Sequence, residues 1–144
     1  MAVSTDISTT SSPSYTFDLT VHIFDTDCFG VMWHGAYTKW LEMGRVDLLR
    51  SRGIELSAPD TPDALLYPVV EQNLRFRLPA RINDRLHVTT QVTINGFRLV
   101  FNQTITHAET GKTHLEAQTT CVVLNSTWQT QRKLPPHLLH ALAT

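Results

Sequence analysis

The sequence has no apolar run near the roughly 18 residues that a membrane-spanning helix requires, so no membrane span is expected. It has only two cysteines, Cys28 and Cys121. They form no spaced pattern, which points away from a disulfide framework and from a zinc site. It has no excess of either charge: 12 Lys and Arg stand against 13 Asp and Glu, for a net charge of −1. That balance argues against general nucleic-acid binding, which needs a basic surface, but leaves room for a small basic patch facing a phosphorylated ligand. The histidines lack metal-ligand grouping. His137 and His140 are three apart but have no acidic or cysteine partner, and no metal is expected. The first thirteen residues, MAVSTDISTTSSP, lack the cationic start and apolar stretch of a secretory signal and the arginines of a transit peptide. Residues 1–13 read as a disordered tail, residues 14–144 as one domain, and the cytoplasm as the default location.

What is present is regular. At 144 residues with 42% hydrophobic content, the chain is long enough for one domain with a substantial core. Phe17, Leu19, Val21 and Ile23 alternate with polar residues, the period of a strand with one buried face. Tyr37, Trp40, Leu41, Gly44 and Leu48 then recur at three- and four-residue steps. They predict an amphipathic helix from His34 or Gly35 to Arg52, ended by Gly53 in a left-handed conformation. Gly44 lies on the apolar stripe, where glycine costs about 1 kcal/mol against alanine, and this predicts that another backbone passes close by. Beyond the loop SAPDTPDA only strands are expected: Tyr67 to Leu78, a strand through Leu86 and Ile94 with Asn95-Gly96 as a hairpin turn, one from Leu99 to His107, and one through Leu115 and Val123. PARIND reads as a turn, and HLLHALA as one or two terminal helical turns. Strand, long helix, then four strands joined by tight turns predict a two-layer α+β domain with antiparallel neighbours.

The stretch between the first strand and the helix, DTDCFGVMWHGAY, carries the chemistry. Asp25 and Asp27 continue the parity of Phe17 to Ile23, so a persisting strand would turn both toward the buried side. Burial there needs compensation, and the positive, unpaired amide end of the following helix offers it. The same place suits an anion or a developing oxyanion.

The pattern D-T-D-x-x-G-V-M-W-H-G-A-Y-x-x-W-L-E-x-G-R resembles the signature of the 4-hydroxybenzoyl-CoA thioesterase family of hotdog-fold proteins. VVEQNLRFRLPARINDRL resembles that family's passage from its second strand to its third. The resemblance covers almost the whole chain. It implies a curved antiparallel sheet wrapped around one long central helix, edge-to-edge homodimers with homotetramers as the expected assembly, and an acyl-CoA or acyl-carrier-protein thioester as substrate. It implies no cofactor.

Residue by residue, the resemblance places the catalytic carboxylate at Asp27 and the polarising backbone amide at His34. Asp27 would attack the thioester carbonyl or activate a water, and the sequence leaves both routes open. A thiol leaving group with a pKa near 8.5 departs without a dedicated acid. Asp25 reads as structural, bonding turn amides. Trp33 is expected to wall the pocket. Tyr37 reads chiefly as core but lies near the mouth. Arg77 and Arg81, from the group around the Leu78-Pro79-Ala80 bend, are the candidates for coenzyme A phosphates. Glu42 is the rival carboxylate on the helix. Cys28 has no activating partner and reads as a bystander. Trp33, Tyr37 and Phe29 suit an aromatic or a short to medium acyl chain. The alternatives are a hydroxyacyl-thioester dehydratase with the His34 side chain as base, and a non-catalytic acyl-CoA binding module.

Overall fold

The computed structural model describes residues 12–56 and 61–143. Its elements are β1 (Ser14–Thr20), a short 3-10 turn (Ile23–Asp25), α1 (His34–Ser51), β2 (Val69–Phe76), β3 (Arg85–Asn95), β4 (Arg98–His107), β5 (Thr113–Val122) and α2 (Pro136–Ala141). Five strands form one antiparallel sheet in the order β1-β3-β4-β5-β2. The tail expected over residues 1–13 lies, through residue 11, outside the described residues, as do residues 57–60 of the SAPDTPDA loop. The Pro13 carbonyl accepts the Val92 amide hydrogen at 3.2 Å.

The helix forms where the apolar stripe predicts it, and its end is closed by the chain itself. Gly53 has φ 78°; its amide donates to the Arg50 carbonyl and that of Ile54 to the Leu49 carbonyl, each at 3.0 Å. The carbonyls of the last turn are thereby satisfied, that of Leu49 being shared with the Arg52 amide at 3.1 Å, and Ile54 is buried beside Leu49. The stripe packs on alternate residues of the sheet. Trp40 and Leu41 share one cluster with Leu86, Val88, Ile105 and Leu115. Leu48 and Leu49 share a second with Val92, Leu99, Phe101, Cys121 and Leu138 of α2. Burial of each such leucine contributes about 1.5–3 kcal/mol, so the helix is held along its length rather than by intrinsic propensity.

Four expectations are corrected. First, β1 stops at Thr20, so Asp25 and Asp27 do not extend its buried face. The Val21 amide donates to Asp84 and its carbonyl accepts from Asn83, which takes the chain off the sheet, and Ile23 is 72% exposed. Second, β2 and β3 are not neighbours. Residues 77–84 cross the end of the sheet, and β2 pairs with β5 at the far edge. Third, side chains rather than backbone crowd Gly44: a Cβ there would lie 2.4 Å from Thr90 Oγ1 and 3.0 Å from Gln103 Nε2. Fourth, the β3–β4 hairpin turns on Gly96-Phe97, because Asn95 already pairs with Arg98. Gly96 takes the positive φ, 66°, as the first residue of a Gly-X loop does.

Candidate active site

The acidic turn is built almost wholly from its own backbone. Asp27 donates its amide to the Val31 carbonyl at 2.8 Å, and Gly30 donates to the Asp27 carbonyl at 3.0 Å; Gly30 turns at φ 78°. This small hairpin is tied to the crossover, since Met32 donates to the Ala80 carbonyl at 2.8 Å and Val31 bridges Arg81. Asp25 is structural, as its type and place predict: its carboxylate accepts the His22 amide at 2.9 Å, and its carbonyl accepts that of Trp33 at 3.0 Å. Asp27 stands exposed at the tip. Its Oδ1 accepts the Phe29 amide at 2.8 Å, and Oδ2 has no hydrogen bond among the described residues.

Seven residues on, the chain enters α1 without a cap. Trp33 occupies the capping position with no side-chain bond, and the first turn holds no acid. The leading amides and the positive end of the helix are therefore left for another group. Trp33 instead folds back across the helix start: its indole covers Gly35 so closely that a Cβ there would lie 1.8 Å from the ring. The ring meets His34 edge-on, at 5.8 Å between centroids.

Beside this helix end lies a cavity of about 260 Å³, lined by Met32, His34, Tyr37, Phe76, Arg77, Leu78 and Pro79. Tyr37 is buried, packs edge-on to Phe76 at 5.5 Å, and accepts the Ala80 amide hydrogen at 3.2 Å through its hydroxyl oxygen. Burial is the main cause that pushes its phenol above the ordinary value; the Ala80 bond opposes this and the charge of Asp84 adds to it. Behind the wall, His114 Nδ1 donates to the Leu78 carbonyl at 2.9 Å, and the His114 carbonyl accepts the Arg77 amide at 2.8 Å.

Of the residues expected at the site, the structure brings His34, Tyr37 and Arg77 to this cavity. Asp27 and Trp33 stand on the segment leading into it, and neither lines it. The Arg77 guanidinium is engaged by Glu116, with Nη2 at 2.8 Å and Nε at 3.1 Å from one carboxylate oxygen. Arg81 is exposed and its amide donates to Asp84 at 2.9 Å. Cys28 is free and exposed. Glu42 is exposed and borders a different, larger cavity of about 390 Å³ toward the other end of α1. Sequence patterns missed the wall formed by Met32, Leu78 and Pro79, because PARIND and its neighbours read as a local turn rather than as part of a crossover strap. Among the described residues, no three His, Cys, Asp or Glu side chains gather to hold a metal ion, and no helix is long and apolar enough to cross a membrane.

A five-stranded antiparallel sheet packed on one long helix, with an acidic turn leading into that helix's open end, defines a hotdog-fold protein. The chain belongs to the thioesterase-like superfamily, whose profile matches residues 21–142. It is similar to sll0410 of Synechocystis sp., at 34% identity over 120 residues, 79% of this chain and 72% of that one. It is similar also to the acyl-CoA thioester hydrolase YbgC of Escherichia coli, at 29% identity over 120 residues, 83% and 88% of the two chains. Its fold matches a 4-hydroxybenzoyl-CoA thioesterase solved with 4-hydroxybenzoyl-CoA, at a TM-score of 0.78 and 15% identity over 90% of this chain and 99% of that one. The enzyme class expected from the sequence, a thioester hydrolase, is the class that YbgC carries.

Proposed function

We propose that the protein hydrolyses acyl-CoA or acyl-carrier-protein thioesters bearing an aromatic or a short to medium acyl group. The observation that carries this is the pairing of an exposed carboxylate, Asp27, with one oxygen free, and the uncapped start of α1 seven residues on. The thioester oxygen accepts the His34 amide hydrogen as negative charge develops on it. Asp27 either attacks the carbonyl carbon, forming an anhydride that water then cleaves, or takes a proton from the attacking water. By either route one water is consumed, and a free acid and a thiol are released. Met32, Tyr37 and Phe76 supply apolar contact for the acyl group, with Trp33 beside them at the helix start. Arg81, exposed at the crossover, is the candidate for coenzyme A phosphates, and Arg77 serves there only if Glu116 releases it.

The sheet edge supports the expected assembly. The edge strand β2 leaves Val69, Val70 and Phe76 exposed, a combination that leads to pairing with another strand. A second copy joined along β2 gives the homodimer, and pairing of dimers the homotetramer. One domain over residues 14–144, without cofactor and in the cytoplasm, completes this reading.

The test is thiol release from a panel of aliphatic and aromatic acyl-CoAs by wild type and Asp27→Asn. Asparagine keeps the Oδ1 acceptor for the Phe29 amide, so the turn should survive while the carboxylate chemistry is lost. A fall of roughly a hundredfold or more is expected. Undiminished turnover by Asp27→Asn would overturn the assignment and move the search to Glu42. Wild-type dehydration of a 3-hydroxyacyl-CoA with the thioester intact would favour the dehydratase, with the His34 side chain as its base. Tight binding without any turnover would leave an acyl-CoA binding module.

A further inference from the structure

Residues 77–84 run between β2 and β3 outside either strand. The strap that walls the smaller cavity therefore has no ladder of its own, and Pro79 brings no amide hydrogen to hold it. One residue grips it there. The His114 carbonyl accepts the Leu78 amide at 3.3 Å as well as the Arg77 amide at 2.8 Å, and His114 Nδ1 donates to the Leu78 carbonyl at 2.9 Å. Both backbone polar groups of Leu78 are thus engaged by His114. Leu78 lines the cavity, and His114 does not.

The histidine ring is itself fixed. It is 2% exposed and packs against the His107 ring, with 5.8 Å between centroids. His107 is pinned in turn: its Nδ1 accepts the amides of Glu109 at 3.2 Å and Thr110 at 3.3 Å, and its Nε2 stands 3.6 Å from Asp84 Oδ1. Asp84 Oδ2 accepts the Arg81 amide at 2.9 Å. The strap is therefore held at Leu78 by His114 and at Arg81 by Asp84, over a base built where β4 ends and β5 begins. The other ring nitrogen of His114, Nε2, is buried with no hydrogen-bond partner among the described residues. A stranded buried nitrogen costs stability that an apolar side chain of similar size would avoid. What the histidine adds over such a side chain is the bond from Nδ1 to the strap.

We infer that His114 is a positioning residue for the acyl group: it fixes how far Leu78 and Pro79 stand into the smaller cavity, and so which acyl groups fit there. The inference rests on the proposed function, since it is the substrate of that reaction that the wall meets. Without the Nδ1 bond the Leu78–Pro79 segment keeps only its amide contact to His114, and the wall retreats. A retreating wall affects acyl groups unequally, because each fills the space of about 260 Å³ to a different depth. Loss of folded protein alone lowers turnover of every substrate by one common factor. Substrate preference therefore separates a positioning role from a merely structural one.

The test compares wild type, His114→Leu and His114→Asn on the full chain, each with its urea unfolding curve. Thiol release is measured from butyryl-, hexanoyl- and benzoyl-CoA. Calorimetry measures binding of the thioethers hexyl-CoA and benzyl-CoA, which cannot be hydrolysed. The asparagine amide nitrogen stands where Nδ1 stands and keeps the bond, whereas leucine has no donor. His114→Leu should raise KM and thioether Kd about tenfold, with kcat within about threefold of wild type. It should also shift the kcat/KM ratio of benzoyl- to butyryl-CoA by about fivefold or more. His114→Asn should bring each value back to within about threefold of wild type. If His114→Leu does not fold, His114→Gln replaces it, because the longer side chain carries its amide nitrogen to the Nε2 position, and the same changes are expected. An equal loss on every substrate overturns the inference and leaves His114 a core residue. So does a His114→Asn as impaired as the variant lacking the bond, or failure of both His114→Leu and His114→Gln to fold. Wild-type turnover with a preference that His114→Leu leaves unchanged defeats only this inference. Thioether binding that responds to His114, with no turnover by wild type, defeats only the proposed hydrolysis.

Discussion

The hydroxyl oxygen of Tyr37, in the first turns of α1, accepts the amide hydrogen of Ala80 at 3.2 Å. Ala80 in turn gives its carbonyl to the Met32 amide. These two bonds fasten the central helix, the segment that enters it and the crossover strap into one unit around the smaller cavity. Ala80 is wholly buried, and its amide has no water to turn to.

Tyr37→Phe therefore strands a buried donor and should cost about 1–3 kcal/mol. Urea unfolding should show a lower midpoint at unchanged slope. The strap carries Leu78 and Pro79 of the cavity wall, so KM for acyl-CoA should rise more than kcat falls.

Gly44→Ala sets two effects against each other. Helix propensity gains about 1 kcal/mol, but the new methyl falls 2.4 Å from Thr90 Oγ1 and 3.0 Å from Gln103 Nε2. Overpacking of that kind costs about 1–3 kcal/mol and also strains the bonds that hold Gln103. A net loss is expected, read as a lower melting temperature, with partial recovery when Thr90→Ala removes the hydroxyl.

Gly35→Ala should behave differently. The atom it displaces belongs to the Trp33 ring, which is 45% exposed and free to swing outward. Stability should change by less than about 1 kcal/mol, while thiol release should show a raised KM because the aromatic wall beside the helix start has moved. An unchanged KM would remove Trp33 from the substrate wall.

The buried phenol of Tyr67 makes stability fall at alkaline pH. An unfolded tyrosine titrates at 10.0, whereas Tyr67 in the fold is pushed up to about 12. Between those values the unfolded chain has lost the proton that the folded chain keeps, so rising pH favours unfolding. The contribution is fully present below pH 10 and is lost as pH rises toward about 12; Tyr37, also raised by burial, acts in the same direction. Urea titrations at pH 7, 10 and 11 should show a shallower decline for Tyr67→Phe, with no loss at pH 7.

Much of the layout is legible in the letters because its causes are local. The stripe from Tyr37 to Leu48 marks α1 to within a residue of His34–Ser51, and Gly53 marks its end through the left-handed conformation that glycine, lacking a Cβ, adopts without steric cost. The alternations around Leu86, Phe101 and Leu115 mark β3, β4 and β5 because each strand buries one face. The acidic turn stands out as two carboxylates that local patterning alone does not require.

Other features come from partners distant in the chain. Ile23 keeps the parity of Phe17 and Leu19, yet the strand ends before it because Val21 bonds Asp84 and Asn83, some sixty residues away, instead of continuing along β3. The same competition turns Asp27 outward. Sequence periodicity determined which segments become helix and strand and which residue types gather before the helix, since those depend on neighbours within a few positions. Only the tertiary structure decided that β2 crosses to pair with β5, that Thr90 and Gln103 crowd Gly44, and that Arg45 and Tyr67 share a cavity. Each of those outcomes is set by burial and hydrogen bonding between segments whose separation along the chain leaves no periodic trace.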